Sequence, residues 1–226
     1  DIHQGIGIEK LKEYWQKFGF GEKTGIDLDA ENTGFLPDPQ EKEARKNDIW
    51  RLGDTYNVTI GQGDLLVTPI QLISQISAIA NGGILYKPHL LLGSECQESN
   101  VSSEGGSASG GKCQMPARQS LGDGGSNVIR DFSDLEPYIK EVQEGMKDTV
   151  RKPYGTAYAL ADLPFEVAAK TGSSQVSNNT RTNAFFVGYE SAENPQIAIL
   201  VLIENAREGS LNAVPVGKDV LNWYYW

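Results

Sequence analysis

Large apolar residues fall at Ile8, Leu11, Trp15 and Phe18, steps of three and four that put them on one side of a helix, and Gly19 and Gly21 supply its stop. The period is then lost. Thr24-Gly25-Ile26-Asp27-Leu28 reads as a short strand, after which Gly34, Pro37 and Pro39 break any regular element and leave a charged surface excursion up to Trp50. Periodicity returns at Thr68-Pro69-Ile70-Gln71. Thr68 can cap a helix, Pro69 lacks the N–H that the first helical position leaves idle, and Gln71 completes a capping box. The predicted helix runs to about Asn81 with Ile70, Ile73, Ile76, Ser77 and Ala80 along one face, and Asn81-Gly82-Gly83 gives it a left-handed stop. A further helix is predicted from Asp134 to Val150 behind a Ser133/Asp134 cap, with Leu135, Tyr138, Ile139, Val142 and Met146 as its stripe, and a short one from Thr156 to Leu160.

The last third changes period. Phe165 to Lys170, Thr182 to Tyr189 and Gln196 to Glu204 are strand-like runs, the third nearly all β-branched or aliphatic. The Asn194-Pro195 step makes the second and third an adjacent antiparallel hairpin. A helix near Val216 to Trp226 closes the chain. Helices flanking an antiparallel sheet make an α+β fold, in which Trp223, Tyr224, Tyr225 and Trp226 read as core or interface aromatics.

Residues 94 to 127 hold seven glycines and eight serines in 34 positions, with Val101, Met115 and Leu121 as the large apolar residues. Such a stretch cannot bury enough to offset its ordering entropy, so it reads as a flexible insertion within one domain spanning residues 1–226. Cys96 and Cys113, the two cysteines, both lie in it and either close a disulfide loop in an oxidising compartment or stay free. Their spacing is not that of a zinc site and His3 and His89 are far off in sequence, so neither metal nor cofactor is expected. Thirty acidic against twenty basic residues, a net charge of −10, argue against a nucleic-acid surface. An acidic ligand must therefore be recognised locally. The sequence has no apolar run of membrane-spanning length and begins at Asp1, so the chain reads as a piece of a longer one, without span or signal peptide as given.

Lys170-Thr171-Gly172-Ser173 is the stretch richest in chemistry. It follows the apolar run Phe165-Glu166-Val167-Ala168-Ala169 and places an ammonium and two hydroxyls where a strand is expected to run out. Gly172 lets a ligand approach the backbone, and the next N–H, that of Ser173, can face a developing oxyanion. Taken alone, the same four residues describe a solvated turn.

They do not stand alone. Gly53-Asp54-Thr55-Tyr56-Asn57, Ile60-Gly61-Gln62-Gly63, Leu66-Val67-Thr68-Pro69-Ile70-Gln71-Leu72 and Ala78-Ile79-Ala80-Asn81-Gly82-Gly83 resemble, in order, the middle of class B penicillin-binding proteins, the D,D-transpeptidases that cross-link peptidoglycan. Gly155-Thr156-Ala157, Ala169-Lys170-Thr171-Gly172-Ser173, Phe185-Phe186-Val187-Gly188-Tyr189, Asn194-Pro195, Ile197-Ala198 and Ala213-Val214-Pro215 continue the series. The Gly61-Gln62-Gly63 wording and the Gly25-Ile26-Asp27-Leu28 segment are most similar to the elongation-type enzyme, penicillin-binding protein 2. The resemblance implies the C-terminal part of a penicillin-binding transpeptidase fold, akin to the serine β-lactamases, and acyl transfer through a serine ester.

It also implies roles. Lys170 would attract the carboxylate of a stem peptide or β-lactam, Thr171 and Ser173 would offer it hydroxyls, and the Ser173 amide would be one of two oxyanion donors; Ser173 stands where the family more often has Thr. Ser174 and Gln175 would continue the strand against the substrate backbone. The family's S-x-x-K nucleophile and S-x-N relay precede the region that residues 8–18 resemble, so no nucleophile is expected in this chain and no activity from it alone. Ser109-Gly110-Gly111-Lys112 matches S-x-x-K only within the Gly/Ser tract, where nothing would hold a nucleophile rigid, and Ser177-Asn178-Asn179 matches S-x-N on what reads as an ordinary loop. Peptidoglycan stem peptides, β-lactams and a membrane glycan polymerase of the elongation complex are the implied partners. The implied location is the outer face of the bacterial cytoplasmic membrane, by an N-terminal anchor that this chain lacks. A β-lactamase or β-lactam sensor would share Lys-Thr-Gly, and a non-catalytic scaffold or peptide-binding module of a wall-synthesis complex is the reading from another class.

Overall fold

In the computed structural model, which describes residues 5–90, 127–176 and 180–225, the first periodic segment folds as helix α1 (Gly7–Lys17), which buries Ile8. The expected strand at Thr24–Leu28 is absent. The Glu31 carboxylate there accepts from Thr24 N at 2.7 Å, Thr24 Oγ1 at 2.6 Å and Gly25 N at 3.0 Å, local bonds that close a loop in place of a ladder. Helix α2 (Pro39–Lys46) occupies part of what reads in sequence as an irregular excursion, and α3 (Leu52–Thr59) follows just beyond it. No residue of α2 is buried. Capping and ion pairs hold it instead: Glu41 N donates to Asp38 Oδ1 at 2.8 Å, and Arg45 and Lys46 grip Asp64 at 2.9 and 2.5 Å.

Helix α4 (Pro69–Ala80) starts as expected, with Gln71 N on Thr68 Oγ1 at 3.2 Å and Thr68 N on Gln71 Oε1 at 2.9 Å. The Gln71 amide, 1% exposed, also donates to the carbonyls of Glu22 and Thr33 at 2.7 and 2.8 Å and so ties the irregular segment to the helix. Of the predicted stripe Ile76 and Ala80 are buried, together with Ala78 and Ile79; Ile70, Ile73 and Ser77 are only partly covered. Strands β1 (Ile84–Tyr86) and β2 (Val128–Asp131) form a small antiparallel pair, and Lys87 N reaches Asn127 O at 2.7 Å. The Gly/Ser-rich stretch between them, with Cys96, Cys113 and the Ser109 to Lys112 lookalike, lies outside the described residues, as does Ser177-Asn178-Asn179. Helix α5 (Glu136–Arg151) follows a 3₁₀ turn and buries Ile139, Met146, Lys147 and Val150, leaving Tyr138 and Val142 of the predicted stripe exposed. The short helix expected over Thr156–Leu160 is a single 3₁₀ turn at Tyr158–Leu160.

The main sheet is antiparallel with order β3 (Val167–Val176), β4 (Arg181–Glu190), β5 (Ile197–Ala206), which with the helices gives the expected α+β class. Both faces are covered, and this explains why β5 is apolar without alternation. On one face Ala168, Val187, Tyr189 and Leu200 meet α4 and Met146 of α5; on the other Val167, Ala169, Ala184 and Phe186 meet Leu221 and Val214. The last two belong to helix α6 (Val214–Tyr224), which follows a π-helical turn at Gly209–Ala213. Gly217 lets α6 close on the sheet, since a Cβ there would lie 2.4 Å from the Phe186 ring. Trp223, Tyr224 and Tyr225 are not core: Trp223 is 79% exposed, while Tyr225 packs on Phe165 at 4.6 Å and hydrogen-bonds Glu190; Trp226 lies outside the described residues.

Candidate active site

Strand β3 is an edge strand, and Lys170 to Gln175 lie along it. The strand does not run out at Lys170. Its pairing with β4 is unbroken from Val167↔Glu190 to Val176↔Arg181, so the motif sits mid-strand, where cross-strand pairing overrides the weak β-propensity of Gly172, Ser173 and Ser174. Alternation sends Thr171 and Ser173 toward the α6 face, with Val167 and Ala169, and Lys170, Gly172 and Ser174 toward the α4 face.

The outer main-chain groups of β3 can be identified from what reaches them. Lys170 Nζ donates to the Thr171 carbonyl, and Gln62 Nε2 donates to the Ser173 carbonyl at 3.2 Å. Both donors are side chains outside the β3–β4 ladder, so the main-chain groups of Thr171 and Ser173 face the free edge, and the Ser173 N–H lies on the same side as its carbonyl. Among the described residues the Lys170 ammonium has no carboxylate within ion-pair distance, whereas Lys147 and Arg151 nearby are each paired, with Glu193 at 2.6 Å and Glu166 at 2.8 Å. An ammonium beside outward-facing strand-edge N–H groups suits an incoming carboxylate.

Three loops converge on this strand. Gln62 comes from the turn after α3, where Gly61 (φ +75°) and Gly63 (φ +73°) take left-handed angles that other residues resist. Thr156 Oγ1 shares a hydrogen bond of 2.6 Å with Thr171 Oγ1, itself 8% exposed, so the second residue of the motif is held from behind by the segment that precedes the strand. Gly209 N donates to Ser173 Oγ at 3.2 Å from the turn before α6, and a Cβ on Gly209 would meet Gly172 O at 2.7 Å. The structure therefore brings Lys170, Thr171, Gly172 and Ser173 together with Gln62, Thr156 and Gly209. Gln62 and Thr156 fall within the Gly61-Gln62-Gly63 and Gly155-Thr156-Ala157 blocks, where no role for them could be read, and Gly209 carries no sequence signal. Ser174 and Gln175 extend the edge opposite Asn183 and Thr182.

The penicillin-binding protein transpeptidase domain model matches residues 1–222. The peptidoglycan D,D-transpeptidase MrdA of Salmonella typhimurium strain SL1344 is 32% identical over 96% of this chain and 34% of that protein. Among solved structures, Pseudomonas aeruginosa PBP2 in complex with WCK 5153 superposes with a TM-score of 0.74 at 31% identity, over 97% of this chain and 44% of that one. Helicobacter pylori PBP2, solved in complex with MreC, gives 0.73 at 29% identity over 97% and 36%. The chain thus spans about a third of the length of the curated relatives it matches. Matched along nearly its whole length, with Lys-Thr-Gly on an edge strand, the chain belongs to the penicillin-binding protein transpeptidase family.

Proposed function

We propose that this chain supplies the acyl-donor wall of a peptidoglycan D,D-transpeptidase, an enzyme that cross-links stem peptides by serine acyl transfer and is acylated by β-lactams. The observation that carries the reading is the outward-facing Ser173 main chain beside a Lys170 ammonium that has no carboxylate partner among the described residues. A donor chain laid along β3 as an added strand can give an N–H to the Ser173 carbonyl, and its reacting carbonyl can take the Ser173 N–H as an oxyanion donor. Lys170, with the hydroxyls of Thr171 and Ser173, then meets the terminal carboxylate, and Ser174 and Gln175 prolong the pairing. The acylated serine and its base lie outside these 226 residues, so the chain alone forms no acyl-enzyme. By the same reading the domain works on the outer face of the bacterial cytoplasmic membrane beside a glycan polymerase of the elongation complex, held there by sequence outside these residues; no helix among the described residues is long and apolar enough to cross a membrane. The Helicobacter pylori neighbour's complex with MreC supports an elongation-type setting.

A fluorescent penicillin tests this. The chain by itself should remain unlabelled, and the polypeptide with its S-x-x-K segment restored should label. Lys170→Ala in the restored polypeptide should slow acylation by about 10- to 100-fold, the worth of one charge-assisted hydrogen bond. Covalent labelling of the chain alone, or an unchanged rate in Lys170→Ala, overturns the assignment.

A further inference from the structure

The acceptor that an added strand would need at Ser173 already has a donor. Gln62 Nε2 lies 3.2 Å from that carbonyl, and it reaches the strand from 111 positions away. The main chain that carries it is fixed on several sides. Gly61 N and Gln62 N donate to the carbonyls of Val58 and Asn57 at 3.1 and 2.9 Å, and Asp64, two residues on, is clasped by Arg45 and Lys46 of α2. An added Cβ at Gly61 would meet nothing, so glycine is required there by its backbone angle and not by room. A rigid turn thus presents one half-exposed side chain, and that side chain can leave by rotation while its backbone stays.

We infer that Gln62 is a gate on the acyl-donor edge: its carboxamide N–H caps the Ser173 carbonyl until the amide N–H of a donor displaces it. The inference rests on the reading of β3 as the donor-binding strand. The exchange is amide for amide, one neutral N–H···O=C bond for another, so a matched donor makes its bond in place of an existing one and gains little net. A donor with no N–H at that position has nothing to exchange and leaves Gln62 in place. The gate therefore offsets the hydrogen bond that a backbone-like amide next to the reacting carbonyl would otherwise gain in full, levelling ligands with and without that amide, and it keeps an otherwise bare strand edge from pairing with other strands.

The test compares two penams on the polypeptide with its nucleophile segment restored: benzylpenicillin, whose acylamino group carries the N–H, and a penam lacking the 6-acylamino group. Gln62→Ala and Gln62→Met, the second keeping side-chain length without a donor, should both raise the acylation rate constant of benzylpenicillin by about 3- to 10-fold, the size of one exposed hydrogen bond. Both should leave the unsubstituted penam within about twofold, well inside that range. Equal changes with the two penams, or no gain with benzylpenicillin, overturn the gate. If the unmutated polypeptide is not acylated and Lys170→Ala changes nothing, the transpeptidase reading has failed; if acylation is normal and depends on Lys170, only the gate has.

Discussion

Gly209 lies where the turn before α6 presses on the back of β3, and a single methyl there should disturb both stability and the site. A Cβ on Gly209 would lie 2.5 Å from Phe185 O, 2.7 Å from Gly172 O and 3.1 Å from Gly172 N. All three are main-chain atoms of the paired strands β3 and β4, where Gly172 faces Phe185, so no rotamer change relieves the contact. Comfortable contacts begin near about 3.5 Å, and the turn must therefore retreat by roughly 1 Å. That movement breaks the 3.2 Å hydrogen bond from Gly209 N to Ser173 Oγ. Overpacking at about 1–3 kcal/mol and one lost hydrogen bond at about 1 kcal/mol together give about 2–4 kcal/mol, a fall in Tm of roughly 5–15 °C for a chain of this size. Thermal and denaturant unfolding of Gly209→Ala should be compared with Gly145→Ala. Gly145 is exposed in the middle of α5 and its added methyl meets nothing within 4 Å, so alanine should stabilise by about 0.5–1 kcal/mol through helix propensity. A Gly209→Ala protein as stable as the unmutated chain, or two variants that shift alike, would refute the close-contact argument.

Two other substitutions probe neighbouring contacts. Thr156→Val keeps the branched shape but strands the Thr171 hydroxyl, which should cost about 1 kcal/mol and slow β-lactam acylation of the restored polypeptide about fivefold. Adding Thr171→Val should cost little more stability, and fully additive stability effects in that double-mutant cycle would show that the two hydroxyls act independently. Glu190, 5% exposed at the end of β4, has its carboxyl pushed up from the usual 4.5 by burial. A raised folded-state value means that its contribution to stability is full below about pH 4.5 and is lost as pH rises through the folded value. Glu190→Gln, which can still bond Tyr225, should therefore gain on the unmutated protein between pH 4.5 and neutrality. Parallel stability curves across that range would remove Glu190 as the source.

The parts of the fold that could be read in advance are those whose signals are adjacent in sequence. Thr68, Pro69 and Gln71 set the start of α4, and Asn81-Gly82-Gly83 its stop, within one or two residues. Helix α2 escaped because it buries nothing and so has no apolar period; Pro39, read as a breaker, is its first residue behind the Asp38 cap. The strand through Lys170 to Ser173 looked finished at Lys170 because glycine and serine are poor strand formers, yet ten cross-strand pairs with β4 carry it on. The motif itself was legible. What its supports touch was not: Gln62 and Thr156 lie in recognisable blocks and Gly209 in none, but they arrive from 111, 15 and 36 positions away, and convergence over such separations is not written in local sequence.

Helices on both faces of the sheet have a further consequence. The side chains of Ala184, Phe186, Val187 and Tyr189 on β4, and of Val167, Ala168 and Ala169 on β3, are committed to packing, so changes there cost stability before they can alter ligand preference. Gln62 and Thr156, by contrast, are at most half-buried and hang from separate elements that touch the strand only at its rim. Substitutions at those two places can vary what the rim accepts while the layers beneath keep their arrangement. This division of labour leaves the molecule free to drift in selectivity around a strand that cannot itself afford to change.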